Sequence, residues 1–162
     1  MINIKILCVG KIKEKSLQDL IKEYEKRLSK YCKLEIIEID DEKIPQSYSE
    51  ADVIKIKDKE ATRIKEKLNK FGKCSIIFLD LKGKQYTSEE FSDKINNMCI
   101  YGTSTLVFVI GGSLGFSDDL LKLSDEKISF SRMTFPHQLF RLFLLEQIFR
   151  AFKIQNNETY HH

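Results

Sequence analysis

Two kinds of segment alternate along the 162-residue chain. Ile2 to Val9, Leu34 to Ile39, Ser75 to Leu81 and Thr105 to Ile110 are short apolar runs, several of them rich in β-branched residues, and they predict strands. Helical spacing fills the intervals. Ser16 can cap a helix carrying Leu17, Leu20, Ile21, Tyr24, Leu28 and Tyr31. A longer helix from about Glu50 to Phe71 carries Val53, Ile54, Ala61, Ile64 and Leu68 among many lysines, and Ser88 with Glu89 and Glu90 opens a third with Phe91, Ile95 and Met98. Pro45, inside the polar stretch DDEKIPQSYSE, marks a loop.

Strands as continuously apolar as those at 75 and 105 belong to parallel sheets with helices on both faces, so the fold class is α/β. In such sheets ligands bind beyond the carboxyl ends of the strands. The loops beginning at Gly83, Gly111 and Phe130 are therefore where chemistry is expected. No repeat, low-complexity tract or linker divides the chain, and residues 1–162 are expected to form a single domain.

The last helix, from about Pro136 to Ile154, has no clean polar face. Leu139, Phe140, Leu142, Phe143, Leu144, Leu145, Ile148, Phe149 and Phe152 surround it. A helix apolar all round must be covered on more than one side. Sheet packing supplies one cover, and a two-fold homodimer is the economical source of the other. The alternative is burial within one chain.

Composition narrows the setting. Hydrophobic residues at 42% and charged residues at 31% exclude disorder and fibrous repeats. The net charge of +3 is unevenly spread: residues 1–75 hold 18 Lys/Arg against 14 Asp/Glu, which permits contact with a polyanion such as RNA. Cys8, Cys32, Cys74 and Cys99 lie far apart, with no C-x-x-C pair and no histidine at ligand spacing, and read as reduced thiols without a metal. The opening MINIKILCVGKIKEK has its lysines after the apolar run, the wrong order for a secretory signal. No apolar stretch is long enough to span a membrane, so the expected address is cytoplasmic.

Three places carry candidate chemistry. VFVIGGSLGFSDD follows a strand, and its glycines at 111, 112 and 115 let a backbone approach a ligand, but the spacing is not G-x-G-x-x-G and no Walker lysine follows. A tight turn alone explains it equally. In ISFSRMTFPHQLFR, the segment Ser131, Arg132, Met133, Thr134 and Phe135 offers hydroxyls, exposed amides and an aromatic that can grip a heterocycle; the plainer reading is a strand-to-helix connection capped by Thr134. His137 is either a base or ligand, or a structural hydrogen-bonding group. The tail NNETYHH gathers Tyr160, His161 and His162, suited to base stacking or proton handling, unless the final histidines are a tag remnant. Glu146 and Arg150, spaced i, i+4, read as a salt bridge.

Taken together, MINIKILCVGKIKEK, YEKRL, FVIGGSLG, SFSRMTFPHQLFRLFLLEQIFRAFKI and the final YHH resemble, in order and over nearly the whole chain, the RlmH family of SPOUT-class methyltransferases. These modify a pseudouridine of large-subunit ribosomal RNA at ring nitrogen 3. The resemblance implies a SPOUT-type parallel sheet flanked by helices, a C-terminal trefoil knot of which the periodicity gives no sign, and an obligate homodimer. It implies S-adenosyl-L-methionine as cofactor, contacted near Leu79, Gly111 and the segment Phe130, Ser131, Arg132, Met133, Thr134 and Phe135. It further implies that Arg150, Tyr160 and His161 serve the RNA nucleotide, the tail of one subunit completing the partner's site. Leu114, where relatives often carry a polar residue, and His162, where a longer side chain is common, depart from the family pattern. With no separate RNA-binding module, an assembled ribosome is the expected substrate, and the lysine-rich 50–73 segment the expected source of phosphate contacts.

Overall fold

The structure, a computed structural model, describes residues 1–161; His162 lies outside them. Five strands, β1 (Ile2–Val9), β2 (Cys32–Ile39), β3 (Ser75–Gln85), β4 (Thr105–Ile110) and β5 (Glu126–Ser129), make one parallel sheet in the order β2-β1-β4-β3-β5. Side chains alternate across a strand. Ile4, Ile6 and Cys8 of β1, with Leu106 and Phe108 of β4, therefore face one layer of helices: α1 (Lys15–Leu28), α3 (Ser88–Tyr101) and α5 (His137–Gln155). Leu7, Val9, Val107 and Val109 face the other, α2 (Glu50–Lys70) and the short α4 (Asp118–Leu121). The result is a three-layer α/β/α arrangement. Phe78 and Phe108, both wholly buried, fill opposite faces, and truncating either to alanine costs about 3–5 kcal/mol.

Helix starts follow local chemistry. Ser49 and Asp52 form a reciprocal capping box on α2, and Thr87 and Glu90 form another on α3. α1 begins before Ser16, with Glu14 at its cap position and no side-chain cap, so Ser16 lies within its first turn. It also stops at Leu28, which leaves Tyr31 in the following turn, its ring stacked on Phe152 at 5.4 Å between centres. α5 starts after Pro136 without a side-chain cap, so Thr134 does not cap it. On α2 the core positions are Ile56, Ala61, Ile64 and Leu68, together with the buried Glu60, whereas Ile54 is 60% exposed.

β3 departs most from the sequence expectation. It runs past Leu81 to Gln85, and Leu79 and Lys84 both pair with Ile128 of β5, the residues between them bulging out. Gly83 therefore lies within a strand rather than at the start of a loop, and Leu79 is in the strand as expected. Gly83 allows this close approach: a Cβ there would sit 2.7 Å from backbone atoms of Lys127 and Ile128.

Much of the all-round apolar surface of α5 is used inside the chain. Leu144, Leu145, Ile148, Phe149, Ala151 and Phe152 are buried, and α1 and α3 pack on either side. Arg141 is buried too, its charge met by Glu38 at 2.8 Å and by the Gly10 carbonyl at 3.3 Å. What remains open is an aromatic edge: Phe143, 37% exposed, meets Phe135 edge-to-face at 5.7 Å. All four cysteines are free, and burial pushes the Cys8 and Cys32 thiols up to about 12. Among the described residues no helix is long and apolar enough to cross a membrane, and no cluster of three or more His, Cys, Asp or Glu could hold a metal ion.

Candidate active site

Beyond the carboxyl ends of β3 and β5 lies a cavity of about 400 Å³. Its walls come from three directions. β5 and the loop after it give Ile128, Ser129, Phe130, Ser131 and Phe135; the start of α3 gives Tyr86, Thr87, Ser88 and Phe91; α5 gives Phe143, Glu146 and Gln147. This volume and its mostly apolar walls with a few hydroxyls, a carboxylate and an amide suit a small organic molecule. Ser129 Oγ donates to the Ser131 carbonyl at 3.0 Å, and Ser131 Oγ accepts from the Met133 N–H at 3.0 Å, which folds the 130–135 segment into a tight rim. Ser88 Oγ donates to Gln147 Oε1 at 2.8 Å and ties α3 to α5 across the floor.

The sequence-predicted cofactor residues are distributed unevenly about this space. Phe130, Ser131 and Phe135 line it. Arg132, Met133 and Thr134 are exposed on the same loop. Leu79 is one layer down, paired with both Ile110 and Ile128, and Gly111 follows directly on Ile110; neither is in the cavity wall. Gly111 instead packs on Phe116, where a Cβ would come within 2.9 Å of the ring. The glycine loop closes as a turn, the Gly115 N–H donating to the Gly112 carbonyl at 3.1 Å with Gly115 at φ +82°. Gly112, Leu114 and His137 belong to a second cavity of about 210 Å³, beside the buried Glu60. Burial raises the Glu60 pKa and lowers that of His137.

The three tail-associated candidates do come together: Arg150 and Tyr160 meet at Glu146, and His161 joins them through Arg150. Arg150 donates to Glu146 Oε1 through Nη2 at 2.6 Å and Nε at 3.0 Å, and Tyr160 OH donates to the same oxygen at 3.2 Å. The Arg150 guanidinium also lies over the Tyr160 ring, 4.8 Å from its centre, while that ring packs edge-to-face on Phe149 at 5.0 Å. Arg150 Nη1 is 2.9 Å from His161 Nδ1, and His161 Nε2 is 2.6 Å from Glu89 Oε1. A guanidinium only donates, so Nδ1 must accept and Nε2 must carry the hydrogen given to Glu89. Hydrogen bonding and the charge of Glu146 raise the Arg150 pKa, and the His161 hydrogen bond lowers that of Glu89. Burial, with Tyr24 and Glu146, pushes the Tyr160 phenol to about 12, which keeps it a neutral donor.

The i, i+4 salt bridge between Glu146 and Arg150 is present, but sequence reading missed that Glu146 also walls the cavity and holds Tyr160. Glu89 was missed as well. It reaches His161 across 72 residues of sequence, and no local signal could have paired them.

A parallel α/β sheet with a small-molecule cavity at its carboxyl edge, flanked by a cluster of titratable groups, places this protein in the doubly wound α/β class, whose ligands bind at that edge. Comparison with known proteins narrows this. The family described as Predicted SPOUT methyltransferase matches residues 2–161. A ribosomal RNA large subunit methyltransferase H of Clostridium perfringens (strain ATCC 13124) is 54% identical over 159 residues, covering 98% of this chain and 99% of the relative; one of Clostridium botulinum (strain Okra) is 56% identical over 161 residues. The chain thus belongs to the RlmH family of SPOUT methyltransferases. Among solved structures, the probable methylase family protein of Haemophilus influenzae Rd KW20 shares the fold at TM-score 0.55 and 12% identity, covering 98% of this chain and 70% of that one. Lpg2936 of Legionella pneumophila, described as a methyltransferase and solved with SAM bound, aligns at TM-score 0.51 and 11% identity, over 93% of this chain and 66% of that one.

Proposed function

We propose that this protein transfers a methyl group from S-adenosylmethionine to ring nitrogen 3 of a pseudouridine in large-subunit ribosomal RNA, acting as a knotted homodimer on the assembled ribosome in the cytoplasm. The observation that carries the reading is the cluster in which Arg150 and Tyr160 bind Glu146, itself part of the cavity wall, and Arg150 also reaches His161. Near-full-length identity with relatives named as large-subunit ribosomal RNA methyltransferases supports the substrate class. When bound, S-adenosylmethionine supplies an electrophilic methyl on a sulfonium.

The cavity's size, its aromatic walls and the hydroxyl-lined 129–131 segment fit that cofactor, with Phe130, Ser131 and Phe135 as the holding residues and Arg132, Met133 and Thr134 on the loop around them. Leu79 and Gly111 act from below, by shaping the strand ends that carry the cavity. In-line displacement depends mostly on holding donor and acceptor close and collinear, so the chain's first task is geometry. Its second is the imide proton. His161 is the group to take it, and the lone pair available on Nδ1 is the one Arg150 covers. Movement of Arg150 from His161 to a carbonyl oxygen of the base would free that lone pair just as negative charge develops on the ring. Tyr160, a neutral phenol, orients the ring by donation and stacking.

Labelled methyl transfer to ribosomes lacking the modification, with the product nucleotide identified by mass spectrometry, tests this reading. Wild-type protein should label a large-subunit pseudouridine. His161→Ala should lower turnover by about 10²–10⁴-fold, the usual worth of a positioned acid or base, with cofactor affinity retained. Undiminished turnover in the variant removes His161 from the mechanism. Cofactor binding without label on any ribosome would favour a silent RNA-binding dimer of this fold.

A further inference from the structure

The tail does not leave α5 freely. After Gln155 the chain turns back on itself. Asn156 N–H donates to the Phe152 carbonyl at 3.1 Å, Asn157 N–H to Ile154 at 3.1 Å and Glu158 N–H to Lys153 at 2.9 Å, and Asn157 adopts the left-handed conformation at φ 54°. The Glu158 carboxylate is then seized from two sides. Lys153 Nζ lies 2.6 Å from Oε2, and Tyr31 OH lies 3.0 and 2.9 Å from the two oxygens, with Lys30 Nζ at 3.9 Å. Tyr31 is a firm post, because its ring is stacked on Phe152 and set edge-on to Phe149. The same Phe149 supports Tyr160.

We propose that Glu158 is a positioning residue for methyl transfer: gripped by Tyr31 and Lys153, it fixes where the tail departs and so sets Tyr160 and His161 at the site. The inference rests on the tail's role in the proposed function. Tyr160 is two positions beyond the grip at Glu158, a reach of about 7 Å for extended chain, so a loosened grip lets the ring leave Phe149 and Arg150. The ion pair lowers the Glu158 pKa and raises that of Lys153, as mutual stabilisation requires. Neither Tyr31 nor Glu158 lines the cavity, so cofactor binding has no direct dependence on either.

The test pairs two readouts on full-length protein carrying Glu158→Ala, Glu158→Gln or Tyr31→Phe. The first is the His161 imidazole proton resonance, assigned with a His161→Ala control, which reports the contacts with Arg150 and Glu89 whether or not the protein turns over. The second is methyl transfer to unmodified ribosomes, with cofactor affinity measured alongside. Glu158→Ala should move the resonance toward that of an unstructured histidine and lower kcat at least tenfold, with cofactor affinity within twofold of wild type. Glu158→Gln, which still accepts from Tyr31, and Tyr31→Phe, which keeps the ring stack, should fall between. An unmoved resonance in Glu158→Ala overturns the grip. A moved resonance with unchanged kcat overturns the positioning role. If wild-type protein labels no ribosome, the proposed function fails, and the positioning role for that reaction is overturned with it, while the resonance still decides where the tail sits.

Discussion

Single residues decide the electrostatics of this molecule in ways their neighbours in sequence do not announce. Glu60 occupies a core position on α2 and accepts one hydrogen bond, from the Glu42 N–H at 2.9 Å, while burial raises its pKa above the ordinary 4.5. A carboxylic acid with a raised folded pKa favours folding least when both states are ionised. Glu60→Gln, which keeps an acceptor and removes the charge, should therefore raise the melting temperature at pH 7. The gain should vanish as pH falls through the raised folded value and then 4.5, where the wild-type group is protonated in both states. Thermal melts from pH 7 to pH 4 measure this, and a gain independent of pH would assign the effect to packing instead.

At the scale of elements, the pairing of β3 with β5 builds the cavity. Sequence reading found the apolar core of β3 and ended it at Leu81, because Lys82, Lys84 and Gln85 carry no apolar signal. Hydrogen bonding to β5, which a polar edge supports as well as an apolar one, carries the strand on to Gln85. Gly83→Ala would place a Cβ 2.7 Å from the backbone of Lys127 and Ile128. Forcing the strands apart should cost about 1–3 kcal/mol of stability and weaken cofactor binding by displacing Ile128 and Ser129 in the cavity wall. Denaturant unfolding and cofactor titration check the two effects. Full affinity in the variant would show that the β3 extension does not shape the site.

At the scale of the whole molecule, the proposed homodimer has to cover what α5 leaves open. Phe135, Phe140 and Phe143 form an edge-to-face aromatic chain along the rim, with Met133 70% exposed on the adjoining loop. Replacing Phe143 by Asp puts a charge where an apolar interface must close, and dimer affinity should fall at least tenfold. Sedimentation velocity at micromolar protein should show a dimer for wild type and a shift toward monomer for Phe143→Asp. A monomeric wild type overturns the assembly.

The sequence by itself determined the alternation of strands and helices, because short apolar runs and helical spacing are local properties, and the apolar runs of β1 and β4 are buried over most of their length. It also determined the family, through motifs spread over nearly the whole chain. It singled out the 130–135 loop, of which Phe130, Ser131 and Phe135 line the candidate cavity, since ligands gather past the ends of parallel strands. Tertiary structure alone decided that Glu146 joins the cavity to the tail, that Glu89 receives His161 and that Glu158 is held by Tyr31. The last two pairings span 72 and 127 residues, and a polar contact at such separation leaves no periodic trace in either segment it joins.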